Sequence, residues 1–218
     1  VNIPLVLKDS SVILINPIWE ERWIRIDEQS SQEHMRGFIT WLTYSRSISE
    51  KWAVMAAFIP RWNGEPSVQF SEGFQAGGAV LMTYKKRPGL QYKFGLYYNR
   101  EFWGNFFIPL LGLDWKINNK QRLFGVLPGY FTYENRISKK FAWGGNFRTF
   151  TTSYQMLGDP VVIPPTSYFL RIDDNQLGAY ADVYLTPKLV LNGEAGLSIL
   201  RKVRKGYGKT SNDEYIVL

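Results

Sequence analysis

Cysteine is absent from the 218 residues, and histidine occurs once, at His34. A disulfide scaffold is excluded, as is any zinc, haem or iron–sulfur centre held by thiolates. Charge is sparse at 21% of residues against 45% hydrophobic, which excludes an intrinsically disordered chain. Long apolar runs are missing as well. The longest uncharged stretches, 102–113 and 73–84, stop after twelve residues, whereas a membrane-spanning helix needs about 20. No basic stretch followed by an apolar core opens the chain, so the expectation is that any signal peptide has been removed.

What is abundant is aromatic and basic. The chain carries 14 Phe, 13 Tyr and 8 Trp, and its net charge is +7. A basic balance favours contact with something anionic. The length suits one all-β domain of roughly 200–250 residues, or at most two small ones.

Polarity repeats every second residue almost throughout. Leu90, Tyr92, Phe94, Leu96 and Tyr98 share one face, against Gln91, Lys93, Gly95 and Asn99 on the other. Phe107, Leu111, Leu113 and Trp115 oppose Gly112, Asp114 and Lys116. Leu177, Ala179, Ala181 and Val183 oppose Tyr180, Asp182 and Tyr184. Such alternation places successive side chains on opposite faces of a strand. Counting through predicts twelve antiparallel strands near 18–27, 36–46, 51–62, 73–85, 90–100, 106–118, 121–127, 129–138, 141–153, 175–185, 189–200 and 213–218. The closing run Tyr215-Ile216-Val217-Leu218 reads as a strand cut short, implying that the natural chain continues.

Connections alternate between tight turns, such as Lys86-Arg87-Pro88-Gly89 and Asn118-Asn119-Lys120, and longer segments at 27–35, 63–72, 100–105, 154–174 and 201–213. Short turns at one end and longer loops at the other mark an up-and-down transmembrane β-barrel of the outer-membrane type. Trp52 follows a short turn and Trp62 precedes a long loop. Ten residues at about 3.3 Å each and roughly 45° tilt cover about 23 Å, close to an apolar band of about 25 Å between aromatic girdles. Trp52, Trp62, Trp103, Trp115 and Trp143 are accordingly expected at the lipid interface. Residues 18–218 form the barrel, and 1–17 are either a periplasmic arm or an additional strand.

If the apolar face meets lipid, the polar face lines the interior. Lys93, Asp114, Lys116, Glu134, Arg136, Arg148, Asp182 and Glu194 form the expected lumen network, with both signs on neighbouring strands. Buried charges are costly unless paired, so structural filling is the leading reading. A charged constriction for ions or small solutes is the alternative.

One stretch of the chain is familiar. Leu90-Gln91-Tyr92-Lys93-Phe94-Gly95-Leu96-Tyr97-Tyr98-Asn99-Arg100-Glu101-Phe102 is followed by Pro109-Leu110-Leu111-Gly112-Leu113-Asp114-Trp115-Lys116. Then come Leu123-Phe124-Gly125-Val126-Leu127-Pro128-Gly129 and Asn146-Phe147-Arg148. This resembles an uncharacterised family of outer-membrane β-barrel proteins from Bacteroidota, over roughly residues 36–200. The resemblance implies the fold and an integral outer-membrane location; it supplies no reaction and no catalytic residues.

No catalytic constellation stands out. Outer-membrane lipid-modifying enzymes resemble one another in pairing a histidine with a serine two residues on, and His34-Met35-Arg36 departs from that, in what reads as an external loop. Asp159, Asp173 and Asp174 lack calcium-loop spacing, so neither metal nor cofactor is expected. Arg201, Lys202, Arg204, Lys205 and Lys209, interleaved with Tyr207, read as a loop placed to meet anionic headgroups, lipopolysaccharide phosphates above all, rather than nucleic acid. The expectation is a non-enzymatic structural or accessory barrel docked to other envelope proteins. A narrow channel is the first alternative and a lipid-modifying enzyme using His34 the second.

Overall fold

The computed structural model describes residues 2–9, 11–25, 32–158, 168–187 and 189–207. Its strands are β1 (Ile3–Val6), β2 (Val12–Ile24), β3 (Glu33–Ser47), β4 (Trp52–Gly64), β5 (Phe74–Arg87) and β6 (Leu90–Glu101). The series continues with β7 (Gly104–Lys116), β8 (Gln121–Leu127), β9 (Tyr130–Arg136), β10 (Phe141–Met156), β11 (Tyr168–Thr186) and β12 (Leu189–Tyr207). A single helical turn, α1 (Phe70–Gly73), sits between β4 and β5. The strands pair in sequence order as one sheet, each antiparallel to the next. The chain is all-β. The first seventeen residues supply β1 and the opening of β2, while 213–218, expected as the last strand, lie outside the described residues.

The meander closes on itself within its middle. Gln155 of β10 pairs in parallel with Gly64 of β4, and the Glu65 N–H donates to the Gln155 carbonyl at 3.0 Å. Seven strands, β4 to β10, thus form a closed barrel, and β1–β3 and β11–β12 extend from its two sides. The cause is a short hairpin. β8 and β9 have seven residues each, so the ladder of β10 with β9 ends at Arg148↔Tyr130. Beyond that point β10 has no neighbour on this side and crosses to β4.

Register assigns the faces, because directly opposed residues share one. Phe58, Gly78, Tyr98 and Phe107 lie opposite one another across β4–β7, and Ile59, Gly77, Asn99 and Phe106 form the adjacent row on the other face. Phe58 is 53% exposed and Phe107 60%, whereas Ile59 is 1% exposed. The apolar face is therefore the outer one and the mixed face the inner one. Trp52 contacts Tyr84 and Phe94 on the outside, at centroid distances of 4.8 and 5.8 Å.

The tight turns are built as their residues dictate. The Asn118 side-chain oxygen accepts from the N–H of Lys120 and of Gln121, at 2.8 and 2.9 Å, an amide closing its own turn. Gly89 turns with φ +77°, a conformation costly for residues bearing a Cβ.

Two apolar clusters are buried. Ala57, Ile59 and Ala79 pack with Ile39, Trp41 and Tyr97 at mid-height of the barrel. Ile24, Met35, Tyr154, Met156, Tyr168, Leu170 and Ile172, with Phe150 against them, join β2–β3 to the loop ends of β10–β11. This second cluster corrects the expected loop at 154–174. β10 runs to Met156 and β11 begins at Tyr168, so only 157–167 connects them. The segment expected as a loop at 100–105 is a two-residue turn, Phe102-Trp103, and the basic stretch from Arg201 to Lys205 belongs to β12.

Candidate functional site

The eight residues expected inside fall on the sheet face continuous with the inner face of β4–β7. They form local pairs rather than one network. Asp114 accepts two hydrogen bonds from Arg122, at 2.8 and 2.6 Å, across the β7–β8 ladder. Arg148 donates to Glu194 at 2.7 Å, reaching over β11 where Gly178 leaves room, and Asn146 donates to the same carboxylate at 3.2 Å. Arg136 donates to the Tyr184 hydroxyl at 2.8 Å, and Asp182 accepts from Asn192 at 2.7 Å. Lys93, Lys116 and Glu134 make no ion pair among the described residues. The Arg148–Glu194 pair is half-exposed and lies on the flank, outside the seven-strand ring.

The tightest polar assembly is one that sequence reading passed over. At the loop end of the ring, Glu101 of β6 is 4% exposed. One carboxylate oxygen, Oε1, accepts from the Asn99 amide and lies 3.5 Å from the Arg61 guanidinium. The other, Oε2, accepts from Gln75 at 3.2 Å and from the Ser153 hydroxyl at 2.5 Å. Arg61 also donates to the Tyr97 hydroxyl at 2.7 Å. Asn63 donates to Gln75 at 3.2 Å and to Thr152 at 3.3 Å, and the Phe102 N–H donates to Ser153 at 3.3 Å. β4, β5, β6 and the crossing part of β10 thus meet around one buried carboxylate. Arg61, Asn63, Gln75, Asn99 and Glu101 all sit at inward positions, the one signal that could have found them.

Close backbone approach makes room for this. A Cβ on Gly77 would fall 2.6 Å from the Asn99 side-chain oxygen, and one on Gly37 would fall 2.9 Å from that of Asn63. Three hydrogen bonds and the nearby Arg61 guanidinium hold the Glu101 carboxylate, so the assembly is a polar plug spanning the ring from β6 to β10.

The aromatic positions divide. Trp52, Trp62, Trp115 and Trp143 stand on the outer face, with Trp143 edge-on to Tyr133 at 6.1 Å. Trp103 instead lies beneath the Arg171 guanidinium, 4.0 Å from its ring centre, and packs edge-on to Phe106. Of the basic cluster, Arg204 lies 3.8 Å from Asp173, and Lys205 sits 3.8 Å above the Tyr168 ring. Arg201 and Lys202 are exposed, and Lys209 lies outside the described residues. His34 belongs to β3 rather than to a loop. Its ring stacks on Trp23 at 4.9 Å, and its Nε2 lies 3.9 Å from Glu21. Asp173 is paired with Arg171 at 3.0 Å, Asp174 accepts from Gln176 and Ser198, and Asp159 lies outside the described residues. Among the described residues no group of three histidines or carboxylates could hold a metal ion.

No curated protein and no solved structure matches the chain. A family model described as a domain of unknown function, DUF6268, matches residues 28–212, and the chain belongs to that family.

Proposed function

We propose that this protein is an integral outer-membrane β-barrel with a non-enzymatic structural or accessory role in an assembly of envelope proteins. The observation that carries the reading is its inverted polarity. Large apolar side chains are exposed along the outer face, Leu111 at 66% and Phe107 at 60%. Charged groups pair inside, as in Asp114–Arg122 and Arg61–Glu101. A soluble β-protein puts the same residues the other way round, whereas a lipid-facing barrel requires this arrangement. Outer aromatics near both strand ends support it, as does the resemblance of 36–200 to Bacteroidota barrels. Lipid and lipopolysaccharide are the surroundings the reading implies, together with other outer-membrane or periplasmic proteins.

The channel alternative is weakened by the plug. A ring of seven strands is narrow enough for side chains to fill, and the Glu101 assembly crosses it. The test is reconstitution of the purified chain in planar bilayers. The expected result is membrane-embedded protein, resistant to urea or carbonate extraction, without steady conductance. Regular single-channel openings would replace the accessory role with a pore, and a chain that dissolves in detergent-free buffer would end the barrel reading. A partner retained through purification in mild detergent is the outcome expected of an accessory subunit.

A further inference from the structure

We infer that the cleft where β2 and β12 approach each other at their loop ends binds the phosphorylated headgroup of an anionic lipid; the inference rests on the membrane-barrel reading. The cleft measures about 310 Å³ and is lined by Trp23, Ile24, Arg25, Arg201 and Val203. It lies between two strands that share no ladder among the described residues. Its floor is apolar, formed by the buried Ile24 and Val203. Trp23 stands exposed at the mouth, its ring held parallel, within 6°, to that of His34.

Charge singles out the occupant. Neighbouring arginines are neutralised: Arg22 by Glu20 at 3.1 Å, Arg36 by Glu21 at 3.0 Å, and Arg204 by Asp173 at 3.8 Å. Arg25 and Arg201, one from each wall, have no ion pair among the described residues. Both are exposed. Two guanidiniums with no carboxylate partner among the described residues, both lining one cleft, suit a phosphate ester, which accepts paired N–H bonds from arginine. Free phosphate would meet the arginines and leave the apolar floor bare. An uncharged lipid would cover the floor and leave the arginines without a counter-charge. An anionic lipid satisfies both.

The full chain is reconstituted in phosphatidylcholine vesicles containing small fractions of phosphatidic acid with brominated acyl chains. Quenching of Trp23 is read as the difference between wild type and Trp23→Phe. Quenching is expected to saturate at low phosphatidic acid and to be absent when the brominated lipid at the same fraction is phosphatidylcholine. The Arg25→Ala/Arg201→Ala variant is expected to need at least about tenfold more phosphatidic acid, and millimolar inorganic phosphate should not reverse the quenching. Equal quenching by both lipids, an unchanged double variant, or reversal by phosphate each overturns the lipid site. The barrel reading is scored separately, in vesicles made wholly of brominated phosphatidylcholine, on Trp52, Trp115 and Trp143. If these are quenched while Trp23 does not discriminate between lipids, the headgroup site alone falls. If none is quenched, both fall.

Discussion

Glu101 gathers more partners than any other carboxylate in the ring, and each comes from a different place in the chain. Removing one side of a buried pair leaves the other charge without compensation, at a typical cost of about 3–5 kcal/mol. Glu101→Ala would strand Arg61, which is 6% exposed. We expect this variant to lose stability on that scale, read as the urea midpoint of the refolded chain in detergent. Glu101→Gln keeps an oxygen for Ser153 and Asn99 and should lose less. A wild-type midpoint for Glu101→Ala would show that the plug contributes nothing to holding the ring. Sequence reading missed Glu101 for a physical reason. An inward charge beside a turn has the same local pattern as a solvated loop residue, and only the arrival of Ser153, 52 positions later, makes it a buried one.

At the level of elements, the loop ends of β10 and β11 bind the two halves of the molecule together. Tyr154 and Leu170 pack against Ile24 and Met35, and the Tyr154 hydroxyl donates to Glu20 at 3.2 Å. On the opposite parity, Ser153 reaches Gln75 and Glu101. Leu170→Ala, at a site with no solvent exposure, should cost about 2–5 kcal/mol by the same urea measurement. Exposed Leu197→Ala, at 73% exposure, serves as the control and should move the midpoint little. Equal shifts for the two would mean that no dry cluster exists here. This region also explains where alternation stopped being informative. Strands from β4 to β9 have one outer and one inner face, so a period of two reveals them, and their predicted limits fall within a few residues of the observed ones. The stretch Tyr154-Gln155-Met156 continues a strand packed on both faces, so its polarity does not alternate and it reads as loop. The Arg201 end of β12 failed differently: a charged run on a strand edge carries no apolar face to betray it.

Across the whole molecule, the outward face was legible from polarity alone, because a lipid-facing or solvent-exposed row shows in every strand. Closure was not. Whether a meander seals between its first and last strands or earlier depends on one pairing, Gln155 with Gly64, that leaves no trace in composition. Family membership over residues 28–212 covers the ring, β3 on one flank and β11–β12 on the other.

The stubby β8–β9 hairpin has a further effect on its surroundings. Seven residues rise only about 16 Å at the usual strand tilt, while the thirteen of β7 beside it rise about 30 Å. In a bilayer such a notch obliges adjacent acyl chains to shorten, because an unpaired backbone edge in hydrocarbon is more costly than local thinning. A tryptophan placed at Leu127, at the hairpin's summit on the outer face, should therefore report headgroup depth, quenched by interfacial labels as Trp62 is. Maximal quenching by labels at mid-chain would instead mean that the leaflet keeps its full thickness there. With lipid shortened on one flank only, a barrel of this shape set in a bilayer would carry a built-in lean, and the membrane around it would be dimpled on a single side.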